Sequence, residues 1–307
     1  MSTRTRSILQ GLLVAFLWST SWILVKSFLE DFPPLLLTGM RYFFAALILL
    51  PGVIKEKRAI QTLSRKNWLR LGVLGLAFYS ITQGSIYAAL AYLDATSLSL
   101  LLNFTTIFVA VFSVMALQEI PTRKNWFGIG LFLVGVVLYF YPVSDFNGQF
   151  LGVILAGIAV AANTISGLLG RVVNRESILP APAVTGISMG MGSVVLLSVG
   201  LAAEPLPHFS LKYVAVLAWL VLVNTAFAFS LWNRTLQHLT AVESSIINNT
   251  ILVQTAVLAW IFLGEQPSPI EWVGLAFASL GILLANLKPN GKRRERRSVK
   301  TDPSNSQ

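Results

Sequence analysis

Ten apolar runs fill most of this 307-residue chain, at 8–28, 34–54, 69–91, 96–117, 125–141, 150–170, 181–202, 212–235, 241–263 and 270–287. Each is close to the length of about 20 residues that a helix needs to cross the hydrocarbon core of a bilayer. With no water in that core, a helix is the state in which each segment satisfies its own backbone hydrogen bonds. The period-two alternation of a barrel strand is absent. Only 12% of residues are charged and 55% are hydrophobic, against about 25% charged in a soluble domain. The expected fold is therefore all-α and integral to the membrane, with ten transmembrane helices.

The connecting segments sort by charge. Of the 23 Lys and Arg residues, 20 fall in the amino-terminal segment, the even-numbered connections and the tail, whereas the odd-numbered connections hold Lys212 alone. Lys26 and Arg41 lie within runs. The positive-inside rule then puts both termini in the cytoplasm. Arg4 and Arg6 before the first run fit a retained first span rather than a cleaved leader, since no small-x-small cleavage site follows. The net charge of +10 is concentrated in the stretch KRRERRSVK (292–300). Beside a membrane span this favours anionic lipid as a partner over nucleic acid. Residues 288–307 read as a basic, disordered cytoplasmic tail. The chain has no Cys and two His, so neither a thiolate nor a His-cluster metal site is expected, and no cofactor is called for.

The chain repeats itself. LQEIPTRKNWFGIGLFLVG (117–135) returns as LGEQPSPIEWVGLAFASLG (263–281), 146 residues on. From 95 to 135 that offset gives 11 identities in 41 positions, among them Asn103/Asn249, Glu119/Glu265, Trp126/Trp272, Gly128/Gly274 and Gly135/Gly281. Five spans per copy is an odd number, so the second copy enters the membrane from the opposite side. The expected units are 1–142 and 149–287, two inverted five-helix repeats, an arrangement that belongs to secondary transporters with a midplane site.

FLWSTSWILVK (16–26), Arg41, YLDATSLSLLLN (92–103) with ALQE (116–119), AVESSIINN (241–249) with FLGE (262–265), and the paired Trp-x-Gly segments resemble the EamA-type ten-helix permeases of the drug/metabolite transporter superfamily. The resemblance implies alternating access, a multi-pass protein of the cytoplasmic membrane, and small organic metabolites as substrates, frequently amino acids. Many members carry a proline thirteen residues before each span-ending Glu. Here those positions are Thr106 and Leu252, so no proline hinge is expected there.

Polar side chains within spans face the bundle interior or a wet cavity, where they bind solute or join helices. The candidate substrate-binding residues are Trp18, Arg41, Tyr79, Gln83, Asn103, Asn163, Asn224, Asn248 and Asn249. Asn103 and Asn249 flank the midplane from opposite sides. Tyr79, Gln83 and Tyr87 share one helical stripe, with Tyr87 near the interfacial belt. Arg41 would hold a substrate carboxylate or clamp a backbone carbonyl. Lys26 would snorkel or pair with Glu30. Glu243 is the candidate coupling carboxylate, or the N3 residue of a capping box with Thr240. Glu119 and Glu265 would fix interfacial geometry, and the glycines of spans 5 and 10 would permit close helix packing.

HExxH, GxSxG, GxxxxGK[ST] and paired buried carboxylates are all missing, so no catalytic site is expected. The expected function is transport of a small amphipathic metabolite, with a broad-specificity drug or other metabolite exporter and a non-transporting receptor or scaffold as the alternatives. Substrate identity, direction, coupling and oligomeric state are not legible.

Overall fold

The computed structural model describes residues 3–28, 32–117, 122–141, 149–176, 179–207, 210–236, 238–239 and 241–286. Every regular element among them is helical. In chain order these are α1 (Thr3–Lys26), α2 (Pro34–Lys55), α3 (Lys57–Gln61), α4 (Arg65–Gly75), α5 (Gln83–Ala89), α6 (Ala95–Leu102), α7 (Phe104–Leu117), α8 (Arg123–Tyr139), α9 (Phe150–Arg175), α10 (Ala181–Ala203), α11 (Leu211–Val221), α12 (Ala228–Leu236), α13 (Ala241–Phe262) and α14 (Pro269–Asn286). A π-helical segment, π1 (Leu76–Thr82), joins α4 to α5, and a second, π2 (Leu222–Phe227), joins α11 to α12. Five stretches are long and apolar enough to cross a membrane: Thr5–Lys26, Pro34–Lys55, Phe150–Gly170, Ala181–Ala203 and Leu211–Trp232. Shorter apolar helices run over Ala95–Val109, Ile247–Phe262 and Pro269–Ala285.

Three of the expected helices are not regular. Those at 69–91 and 212–235 each contain a wider π turn. Thr82 Oγ1 donates to Ala77 O and Thr225 Oγ1 to Leu220 O, both at 2.8 Å and both five residues back. The hydroxyl thus serves the carbonyl at the π spacing. The run at 96–117 is interrupted at Asn103. Its backbone N–H moves to Leu100 O (3.2 Å), and its side-chain amide takes over Ser99 O (2.8 Å), the carbonyl that a regular turn would give to the backbone. The regular ladder is therefore interrupted three residues before Thr106 without a proline, by the competition that short amides offer to the backbone.

Helix starts are capped as their sequences dictate. Thr122 and Asn125 form a reciprocal capping box at α8. Ser268 and Glu271, 146 positions on, do the same at α14. Two other starts are capped from far along the chain. The Glu204 carboxylate accepts from Leu35 N (3.0 Å) and Leu36 N (2.8 Å) at α2. Glu265 accepts from Ala95 N (2.7 Å), Thr96 N (3.2 Å) and Thr96 Oγ1 (2.7 Å) at α6. A negative charge there also meets the positive end of the helix dipole. At the other pole of this corner, Lys26 Nζ donates to Leu90 O (2.7 Å) and Leu93 O (2.5 Å) just past α5. The expected partner Glu30 lies outside the described residues, as do Glu119 and Thr240.

α8 and α14 cross with their backbones in contact. A β-carbon on Gly128 would fall 2.6 Å from Gly281 O, and one on Gly135 would fall 2.6 Å from Gly274 O. The reverse approaches, Gly281 to Gly128 O and Gly274 to Gly135 O, are 2.7 Å. These four are the glycines singled out by the repeat, and close packing is what they serve. Elsewhere the earlier and later parts of the chain interleave. α9 packs on α4, π1, α5, α6 and α7, whereas α1 packs on π2, α12 and α13. The largest buried cluster accordingly mixes Val25, Leu37, Leu90 and Leu98 with Ala159, Tyr213, Leu220 and Ala259.

Candidate functional site

Arg41 lies within α2 with only 3% of its surface exposed. A buried guanidinium is tolerable only if its donors are satisfied. Here Nε donates to Thr225 Oγ1 (2.8 Å), Nη1 to Ser21 Oγ (2.6 Å) and Tyr87 OH (2.5 Å), and Nη2 to the Asn224 carbonyl (3.4 Å). The rings of Tyr42 and Tyr87 stand 5.3 and 5.8 Å from Cζ, within cation–π range. Of the two roles expected for Arg41, the carbonyl clamp is the one seen. It ties α2 to α1, α5 and π2. Tyr87 is correspondingly not an interfacial belt residue: it is buried and also bonds Ser21 Oγ (3.1 Å).

Asn224, in π2, is fully buried. Its Nδ2 donates to Leu17 O and to Thr20 Oγ1 (3.3 Å), which fixes π2 against α1. Its Oδ1 has no partner. Among the described residues six buried side-chain polar atoms are in this condition: Asn224 Oδ1, Trp18 Nε1, Asn249 Nδ2, Gln254 Oε1, Thr255 Oγ1 and Ser279 Oγ. The first five belong to α1, π2 and α13. These elements touch one another, with Ser19 Oγ donating to Ile251 O (3.4 Å) and Ile247 lying against Gly11. The Trp18 ring leans on Phe229 (5.3 Å) and Trp232 (5.5 Å), giving the same region an aromatic wall. An unpartnered buried polar group costs about 1–3 kcal/mol. The five supply unpartnered donors (Trp18, Asn249), acceptors (Asn224, Gln254) and a hydroxyl along α1, π2 and α13, with Asn249, Gln254 and Thr255 on different sides of α13.

Of the sequence candidates, Asn224 lies against α1 on either side of Trp18, at Leu17 and Thr20, with Arg41 against its backbone, whereas Asn249 shares the face of α13 that carries Leu252 and Ala256. The others lie elsewhere. Asn103 sits at the α6–α7 break, half-buried, and the half-buried Asn163 donates to Thr105 Oγ1 (3.4 Å) across α9 and α7. Tyr79 is buried in π1 against Tyr42 (5.4 Å) and Phe78 (4.8 Å), beside a small cavity of about 220 Å³. The wider turn of π1 removes it from the stripe shared by Gln83, which is half-buried, and Tyr87. Asn248 is exposed. The side chain of Glu243 lies outside the described residues. Gln254 and Thr255 were missed, although each carries the signal used for the rest, a polar group deep in an apolar run.

A larger cleft of about 920 Å³ runs between α6–α7 and α9, lined by Leu101, Phe104, Phe108, Val153, Val160 and Leu168 among others. It holds none of the candidates and almost no polar atoms. A polar solute gains orientation only from polar partners, so the chemistry favours the α1–π2–α13 region over the roomier cleft.

The EamA-like transporter family matches twice, at residues 5–141 and 150–287. An Archaeoglobus fulgidus protein named only as an uncharacterized transporter is 26% identical over 298 residues, covering 94% of this chain and 99% of its own. A Chlamydia muridarum S-adenosylmethionine/S-adenosylhomocysteine transporter is 25% identical over 88% of each chain. The Escherichia coli inner membrane transporter YedA is 24% identical over 88% of this chain and 87% of its own. One crystal structure superposes with a TM-score of 0.64 over 92% of this chain and 98% of its own, at 16% identity, a likeness of fold alone. Two family matches spanning nearly all of the helical part, on an all-helical chain with five membrane-length apolar helices, fix the assignment: this is a multi-pass membrane transporter, not an enzyme, and it belongs to the EamA-like transporter family.

Proposed function

We propose that this chain is a secondary transporter of small zwitterionic metabolites, amino acids or compounds with an amino-acid head, bound between α1, π2 and α13. The observation that carries this is the set of unpartnered buried donors and acceptors along these elements, on Trp18, Asn224, Asn249, Gln254 and Thr255, with the Trp18 ring against Phe229 and Trp232. Donors suit a carboxylate, acceptors an ammonium group, and the Trp18 ring an apolar body. The S-adenosylhomocysteine of the Chlamydia relatives is a net-neutral zwitterion with an amino-acid head, whereas their S-adenosylmethionine adds a sulfonium charge to the same head.

In this reading ten helices form two inverted repeats, 1–142 and 149–287, in the cytoplasmic membrane, with both termini in the cytoplasm. Support comes from the one-sided loop charge, the matching caps at α8 and α14, and the π segments recurring in α4–α5 and α11–α12. Asn103 with Asn163 on the α9 side then mirrors Asn249 with Trp18 on the α1 side. Because the parts interleave, the bodies that rock are mixed groups, one around α1, α12 and α13 and one around α4–α7 and α9. Glu243 remains the coupling candidate. The apolar cleft of about 920 Å³ favours a second reading, an exporter of bulkier apolar compounds.

Because the chain has no cysteine, accessibility tests this directly. A Gln254→Cys protein in membranes should react with a membrane-impermeant thiosulfonate, whereas Val253→Cys, on the exposed apolar face one residue earlier, should not, because a thiol in hydrocarbon does not ionise. Equal silence of both would mean that no wet cavity reaches α13.

A further inference from the structure

Among the described residues the interior carries a positive charge with no ion-pair partner. Arg41 is buried among hydroxyls, aromatic rings and one carbonyl, and no carboxylate forms an ion pair with it among the described residues. The described acids are committed elsewhere. Glu204 and Glu265 cap α2 and α6, Glu271 closes its own capping box, Glu176 pairs with Arg70, Asp94 lies in the field of Lys26, and Glu56 stands at the far end of α2, fifteen residues from Arg41. Hydrogen bonds satisfy the guanidinium's donors but leave its unit positive charge in place. In a low-dielectric interior that charge acts on whatever occupies the neighbouring space.

One residue joins the charge to the binding region. The Asn224 carbonyl receives Arg41 Nη2, while the Asn224 side chain, held against α1 by its Nδ2, carries a buried Oδ1 without a partner. A ligand touching that amide stands within about a side-chain length, roughly 8 Å, of the guanidinium. At an effective dielectric of about 20, one unit of ligand charge at that distance changes affinity by roughly 30-fold.

We propose that Arg41 is the charge-selecting residue of the transporter: its substrates carry a carboxylate or comparable anionic group and are neutral or negative overall, and net cations are rejected. Arg41 acts here through its field, with its hydrogen bonds holding it in place. The inference rests on the proposed α1–π2–α13 site.

Three probes with the same aromatic body separate charge from shape: phenylpropionate (negative), phenylalanine (zwitterionic) and phenylethylamine (positive). Their binding to the purified full-length chain is measured by isothermal titration at neutral pH. Wild type should bind the first two and hold phenylethylamine roughly 30-fold more weakly than phenylalanine, from which it differs by one unit of charge. Arg41→Gln keeps donors for Thr225 but removes the charge, and should shrink that discrimination to about threefold or less, one fixed unit charge being the whole of its source. Arg41→Lys should restore it. A purely structural Arg41 would lower all three affinities together and leave the discrimination intact. Wild type that binds phenylethylamine as well as phenylpropionate, or Arg41→Gln that preserves the order, overturns the charge assignment. In that case loss of binding on Asn249→Leu would show that the site itself still stands. Binding of none of the three by folded wild type overturns the charge assignment and the amino-acid reading together.

Discussion

Gly281→Leu should leave little folded protein in the membrane. A β-carbon there falls 2.7 Å from Gly128 O and 2.7 Å from Phe132 Cα, and both are backbone atoms of α8. No rotamer change relieves a clash with backbone, so α8 and α14 must part along a seam where Gly128, Gly135 and Gly274 also meet backbone directly. In a bilayer such close packing supplies much of the association free energy, because lipid offers no hydrophobic drive between helices. Overpacking of this kind costs about 3 kcal/mol or more. The comparison sits on the facing helix, α8. Gly130, two positions from Gly128, is exposed with nothing within 4 Å of its would-be β-carbon. Gly130→Leu should be neutral, or stabilising by up to about 0.8 kcal/mol through helix propensity. Thermal unfolding of the two variants in the same detergent checks the difference. Equal behaviour would mean that the α8–α14 seam is not tight in the membrane.

Asn249→Leu should separate stability from function. Asn249 Nδ2 is buried and makes no hydrogen bond. Replacing an unsatisfied amide by an apolar side chain of similar size removes a desolvation cost and should hold or raise stability by up to about 1 kcal/mol. If that amide meets the substrate, the same change should lower flux by about 100-fold, as expected when a binding group loses its hydrogen-bonding partner at a polar subsite. Thermal unfolding and transport are measured on one preparation. A helix-joining Asn249 would give the opposite pair of results, lower stability with flux retained in the surviving fraction. Trp18 follows the same logic less cleanly, since its ring also packs on Phe229 and Trp232.

Much of the helical layout is legible in the sequence because a membrane imposes a coarse rule. About 20 apolar residues per crossing, with charges between, survives any detail of packing. The glycines are legible because the chain repeats them at a fixed offset, whereas the role of Glu265 at the start of α6 is visible only in the structure. The π turns leave no such mark. LAFYSIT (76–82) and LVNTAF (222–227) are ordinary apolar helix by composition, and only the five-residue reach of Thr82 and Thr225 reveals the wider turn. Tyr87 was misplaced for a related reason. Counting residues from a run's end sets its depth in the membrane but not what covers it, and Leu90 and Leu93 beyond it are themselves buried. Asn224 and Trp18 could be listed as deep polar residues, but the bonds of Asn224 to Leu17 and Thr20 depend on how α1 lies against π2. Arg41 shows the limit most plainly, since its partners lie 20 to 184 residues away. A short sequence window holds the cation but not the hydroxyls that accommodate it.

Counterflow tests the central claim most directly. Purified protein is placed in liposomes preloaded with unlabelled amino acids, and a labelled amino acid is added outside. A transporter with a polar site for zwitterions predicts transient accumulation of label above its equilibrium level and above protein-free liposomes, abolished by Asn249→Leu. Folded wild-type protein that accumulates no labelled amino acid, or Asn249→Leu protein that accumulates as much as wild type, would contradict it.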